Sequence, residues 1–195
     1  MIIEQDIQNF YKALTFGDVN DSVSAAVKKA YRDFCRTIKF EENKGVDHSN
    51  AVAKVIKVFR MNLERLTEIQ SQESFDKWHE DICAKITGAF NDATLTLGQT
   101  QKWVNMAMKY LIALGEQPVI QLLPFLHAPI DSIVLEYSEY PEIDKLTPWS
   151  QIDSQEAYIK FQNFLRREKN KAPLEWEFGI WNESKQLKKR SVKTR

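Results

Sequence analysis

Apolar residues recur every three or four positions along almost the whole chain, and nowhere do they alternate in twos. Side chains three or four apart share one face of an α-helix, whereas alternating ones share one face of a strand, so the pattern selects an all-α fold. Ile3, Ile7, Phe10, Tyr11 and Leu14 form the first stripe. Val23, Val27, Ala30, Tyr31, Phe34 and Ile38 form a second, on a helix that Asp21 or Ser22 can cap. A third helix is expected over residues 50 to about 69, capped by Asp47 or Ser49, with Val52, Val55, Ile56, Phe59, Leu63 and Leu66 inward. A fourth begins near Ser74, ends near Asn91, and carries Phe75, Trp78, Ile82, Ile86 and Phe90. We assign these stripes to the core. A central helix spans roughly residues 99 to 114 and stops at Gly115-Glu-Gln-Pro. Residues 119 to 125 are a short apolar stretch, helix or loop. Pro129 sits at the expected start of the next helix, where proline is best tolerated, and that helix ends near Tyr137. Ser154 opens a helix that runs to about Lys169, and Pro173 opens the last. The expectation is a compact fold of seven to nine helices.

Composition narrows the class. With 43% hydrophobic and 28% charged residues in 195, the chain can build a core and is not disordered. One domain over residues 1–184 is expected, followed by a basic tail, residues 185–195. No apolar run has the length of a membrane span, and the N-terminus lacks a basic leader, so the expected location is cytoplasmic. Cys35 and Cys83 lie on apolar faces with no metal spacing, which makes them buried free thiols. His48 and His79 are isolated and belong on the surface or its boundary. Net charge is zero, so no global field attracts a polyanion. The tail, with six cations and no acid, can touch phosphates or stay solvated.

The chemistry concentrates between Leu97 and Tyr137. Gly98 opens the central helix and Lys102 sits in its first turn. The positive end of a helix dipole and partial burial against Trp103 and Met106 both disfavour an ammonium, and a neutral amine can attack carbon to form a Schiff base. The alternative is an ordinary lysine snorkelling from an amphipathic helix. Asp131, beside Pro129, is either a helix cap or a carboxylate that steadies positive charge at a sugar carbon while a glycosidic bond breaks.

The run Gly98-x-x-x-Lys102, a helix, and then Pro129-Ile130-Asp131 resembles the DNA glycosylases of the helix-hairpin-helix superfamily. The 8-oxoguanine glycosylases are the branch it is most similar to, above all the archaeal type with a degenerate hairpin. The resemblance implies that Lys102 and Asp131, 29 residues apart, are the catalytic pair, in a two-lobed helical arrangement. It covers about residues 95 to 133. Leu95-Thr-Leu-Gly-Gln-Thr100 stands where the family has its glycine-bearing hairpin. Gly98, Gln99, Gln101 and Asn105 are then the expected contacts to DNA or orienters of the lysine. A flipped base needs aromatic walls and hydrogen-bonding edges, for which His127, Trp149 and Phe125 are candidates, and Trp103 less so.

Three functions follow as alternatives. The first is excision of a modified base, an oxidised purine or a hypermodified base of foreign DNA, from double-stranded DNA. It needs no cofactor and no metal, and has a lyase step if Lys102 attacks the sugar. The second is a helical protein-interaction module, for instance in a defence system, that docks through Trp176 and Trp181. The third is a nuclease built on Glu136, Glu139, Glu142 and Asp144, which show no compact metal-ligand spacing.

Overall fold

The computed structural model describes residues 2–40, 48–90 and 93–193, and the side chains of residues 4–40, 49–90 and 93–183. Nine α-helices and no strand occur among them. These are α1 (Ile2–Phe16), α2 (Ser22–Phe34), α3 (His48–Leu63), α4 (Gln72–Ala89), α5 (Leu97–Leu114), α6 (Gln117–Gln121), α7 (Ser132–Ser138), α8 (Gln155–Lys169) and α9 (Pro173–Lys193). The side chains of the tail that sequence marked as a phosphate contact lie outside the described residues.

Local chemistry sets the helix starts. Asp21 accepts from the Ser24 amide and caps α2. Ser71 and Ser74 form a reciprocal capping box on α4, three residues ahead of the expected start. Thr96 and Gln99 form another on α5, so that helix begins at Leu97. The helix expected from Pro129 begins later, at Ser132, because Asp131 is its cap and accepts from the Val134 amide.

The buried apolar side chains fall into two clusters. The larger joins α2, α3, α4 and α5 around Phe34, Phe59, Phe75, Ile82, Trp103 and Leu111. The smaller joins α7, α8 and α9 around Ile130, Val134, Tyr158, Phe161 and Leu165. Leu97 and Trp149 pack against both. Trp103 belongs wholly to the larger cluster, its indole N–H bonded to the Val27 carbonyl at 3.0 Å, so it is a core residue and no pocket wall. Two expectations are corrected. The α1 stripe is not core, since Ile7, Phe10, Tyr11 and Leu14 are 50–70% exposed. His79 is not at the surface but completely buried.

Gly98 is required by a close approach. A Cβ there would lie 2.0 Å from the Trp149 carbonyl oxygen, and the Gly98 amide donates to Ile152 at 2.8 Å. Propensity alone would favour alanine in a helix by roughly 0.5–1 kcal/mol. Overpacking against a backbone atom costs about 1–3 kcal/mol and decides the sign. Gly98→Ala is therefore expected to lower the melting temperature, and a rise on thermal denaturation would show that Trp149–Gln151 moves away freely.

Candidate functional site

From Gly98 to Lys109 every residue of α5 is buried, polar ones included. The helix expected to show one polar face to water is enclosed on all sides. A buried polar group without a partner costs about 1–3 kcal/mol, so each must be satisfied from within.

Gln99 is spent on structure. Its carbonyl accepts from the Thr96 amide at 3.1 Å and its amide donates to the Thr37 carbonyl at 2.8 Å. Gln101 is fully enclosed, bonded to Gly98 and Ile130. Asn105 donates to Gln101, Ala128 and Tyr158. None of these three side chains is turned toward a DNA backbone; they hold α5 to its neighbours. The missed signal for Gln99 was Thr96-x-x-Gln99, a capping-box spacing. Arg36 and Lys39 are exposed beside Thr37, next to the α5 start.

Lys102 is at the sixth helical position, a turn beyond the reach of the unpaired amides at the N-terminus. Two groups shape its surroundings. Its ammonium nitrogen lies against Asp131 Oδ2, and 5.5 Å from the centre of the Trp149 ring. The Asp131 Oδ1 meanwhile caps α7 by accepting from Val134 at 2.9 Å. The carboxylate is thus held at one oxygen by a helix start and faces the amine with the other. The Lys102 side chain is 6% exposed and that of Asp131 is 21% exposed, so the pair reaches solvent at its acidic end. Trp149 belongs to this site. Phe125 is half-buried near α4, its carbonyl bonded by Gln72, and does not meet the pair.

His127 lies in a separate buried network. Burial pushes the His127 imidazole below its ordinary value despite Asp76, and pushes His79 well below. Burial also opposes ionisation of Asp76, but the bonds from His127 and Gln72 outweigh it and hold that carboxyl below its ordinary value. For the His127–Asp76 pair burial prevails, and His127 is neutral at pH 7. Its Nε2–H then donates to Asp76 at 3.0 Å, and Tyr158 donates its hydroxyl to Nδ1 at 2.9 Å. Asn105 donates to the Tyr158 oxygen, and His79 Nε2–H donates to Asn105 Oδ1 at 3.0 Å. Sequence named His127 as a pocket edge, yet both its ring nitrogens are occupied here.

Further along the face that carries Lys102, Lys109 meets Glu177 of α9 at 2.7 Å and 2.6 Å from its two oxygens. Burial raises the Glu177 carboxyl, Lys109 lowers it, and the charges of Asp131 and Lys102 act on it in opposite senses. Beside this second pair is a cavity of about 370 Å³, lined by Met106, Lys109, Tyr110, Phe178, Trp181 and the inner side of α1. Met106 and Lys109 follow Lys102 by four and seven residues, which sets the cavity about 6–10 Å along the helix from the lysine. A larger cavity, about 720 Å³, lies between α2 and α3 against Tyr31, Val52 and Ile56 and includes no residue of α5.

The acidic residues considered for metal do not gather. Glu142 binds Lys145 and Lys160, whose hydrogen bonds hold its carboxyl down to about 2. Glu139 faces Lys169. Among the described residues no group of three or more His, Cys, Asp or Glu side chains is placed to hold a metal ion. Cys83 is buried and unpaired with Cys35, which is half-buried. No described helix is long and apolar enough to cross a membrane. No family model, curated protein or solved structure matches the chain.

The histidines make stability sensitive to acid. With folded values below the ordinary 6.5, their contribution is complete above that pH and is lost as pH falls toward the folded values, because only the unfolded chain takes up the protons. Each adds a slope of about 1.4 kcal/mol per pH unit in that window. Denaturant unfolding between pH 7.5 and 5.5 is expected to show stability falling below pH 6.5, and a level profile would contradict the assignment.

Proposed function

We propose that this protein is a DNA N-glycosylase that removes a modified base, with Lys102 and Asp131 as its reacting groups. The observation that carries the reading is their contact: an amine from α5 and a carboxylate from the α7 cap meet where solvent reaches the carboxylate. The resemblance of Gly98-x-x-x-Lys102 and Pro129-Ile130-Asp131 to helix-hairpin-helix glycosylases supports it. So does the apolar cavity further along the same face, whose aromatic residues Phe178 and Trp181 can stack on a flipped base. Exposed Arg36 and Lys39 beside the α5 start suit phosphate contact.

In this reading the bond between C1′ and the base nitrogen breaks, and the base leaves with the electron pair. The Asp131 carboxylate stabilises the cationic sugar carbon. Lys102, after giving up a proton to the departing base, attacks C1′; the C1′–O4′ bond then breaks with its electron pair on O4′, which is protonated, leaving a Schiff base, and loss of a C2′ proton expels the 3′ phosphate and cuts the strand. The substrate is an oxidised purine or a hypermodified base of foreign DNA.

The test incubates the protein with duplexes carrying such bases, with and without borohydride. Release of a base and an adduct mapped to Lys102 are expected. Lys102→Gln abolishes the adduct, and Asp131→Asn slows release on the order of 10²–10³-fold. Release without an adduct marks a monofunctional enzyme, and no release from any duplex overturns the reading. A second reading, a protein-docking module, is favoured by one observation, the exposed Ile7, Phe10, Tyr11 and Leu14 of α1. It prevails if Phe10→Ser abolishes biological activity while Lys102→Gln and Asp131→Asn leave it intact.

A further inference from the structure

We propose that Gln101 and Gln162 are positioning residues that grip the chain just before Asp131 and so fix its approach to Lys102; this rests on the glycosylase reading. Residues 126–130 are buried and belong to no helix. Their backbone polar groups cannot turn to water or to a helical ladder and need partners. Two glutamines supply them in the same way. The Ala128 amide donates to Gln162 Oε1 at 3.0 Å, and Gln162 Nε2 donates back to the Ala128 carbonyl at 2.9 Å. The Ile130 amide donates to Gln101 Oε1 at 3.1 Å, and Gln101 Nε2 donates back to the Ile130 carbonyl at 3.0 Å. A primary amide carries the donor and acceptor that a neighbouring strand would offer. Pro129, between the two gripped residues, has no amide hydrogen to satisfy.

Gln101 is held in turn. Its second N–H donates to Gly98 at 2.9 Å and its oxygen also accepts from Asn105 at 3.1 Å, so all four positions of the amide are used and it cannot flip. Asn105 extends the grip to Tyr158 and His79. Gln101 directly precedes Lys102, and Ile130 directly precedes Asp131. The Gln101–Ile130 exchange is thus the rung beside the reacting pair. A displacement of about 1 Å at such a pair can cost 10²-fold in rate, which is the scale on which the clamp acts.

The experiment compares wild type with Gln101→Met and Gln162→Met, each confirmed folded by circular dichroism. Amide hydrogen exchange by NMR reads the clamp itself. Borohydride trapping on a duplex with an abasic site reads the chemistry, and the Kd for that duplex reads binding. Expected are faster exchange of Ile130 in Gln101→Met and of Ala128 in Gln162→Met. Trapping is expected to slow on the order of 10²-fold in Gln101→Met, with Kd unchanged within about threefold. If Gln101→Met does not fold, Gln101→Asn and Gln162→Met decide in its place. Unchanged exchange, or unchanged trapping in a variant with faster exchange, overturns the proposal. Absence of any wild-type adduct counts instead against the lyase form of the glycosylase reading, and the exchange data then judge the clamp alone.

Discussion

The enclosure of a polar helix face is the constraint to which the rest of the molecule answers. Gln99, Gln101, Lys102, Asn105 and Lys109 lie on α5 and are all removed from water. Leaving one of them unpaired would cost as much as a sizeable share of a domain's net stability. Each is therefore matched: Gln99 to Thr96 and Thr37, Gln101 to Ile130, Lys102 to Asp131, Asn105 to Tyr158 and His79, Lys109 to Glu177. The partners come from the turn after α2, from residues 126–131, and from α4, α8 and α9. Polar pairing around one helix thus ties the two apolar clusters together.

Buried ion pairs are weak evidence for stability, because desolvation offsets much of their attraction. Lys102–Asp131 and Lys109–Glu177 are better understood as specifying an arrangement. Apolar residues of like volume would hold α5 to α7 and α9 at least as well. What they would not do is set an amine against a carboxylate whose other oxygen is fixed by a helix cap. That geometry is the feature on which the proposed excision chemistry rests.

Much of the fold was legible in the chain. The period of the apolar residues in α2, α3 and α4 reports the core, since burial against a neighbour is what selects it. The pattern failed at α1, whose stripe has the same period but meets little else; periodicity reports a helix with an apolar face and says nothing about whether that face is covered. It failed again at His79, because one histidine in an apolar stripe does not reveal the Asn105 that satisfies it. For the site, Lys102 and Asp131 could be named from spacing and chemistry. Gln101 and Asn105 were named as DNA contacts or orienters of the lysine, and their buried bonds to Ile130, Ala128 and Tyr158 leave no local signal in the chain.

Taken alone, the sequence determined the helical class, the cap at Ser154, the choice of Asp21 or Ser22 as the cap of α2, and the candidacy of Lys102 and Asp131, because these depend on interactions within a few residues or on residue type. Tertiary structure decided that Lys102 and Asp131 touch, that Gly98 must lack a side chain, and that the polar face of α5 is buried. Each of those depends on contacts between segments far apart in the chain, where partner identity is set by packing and leaves no local period to read.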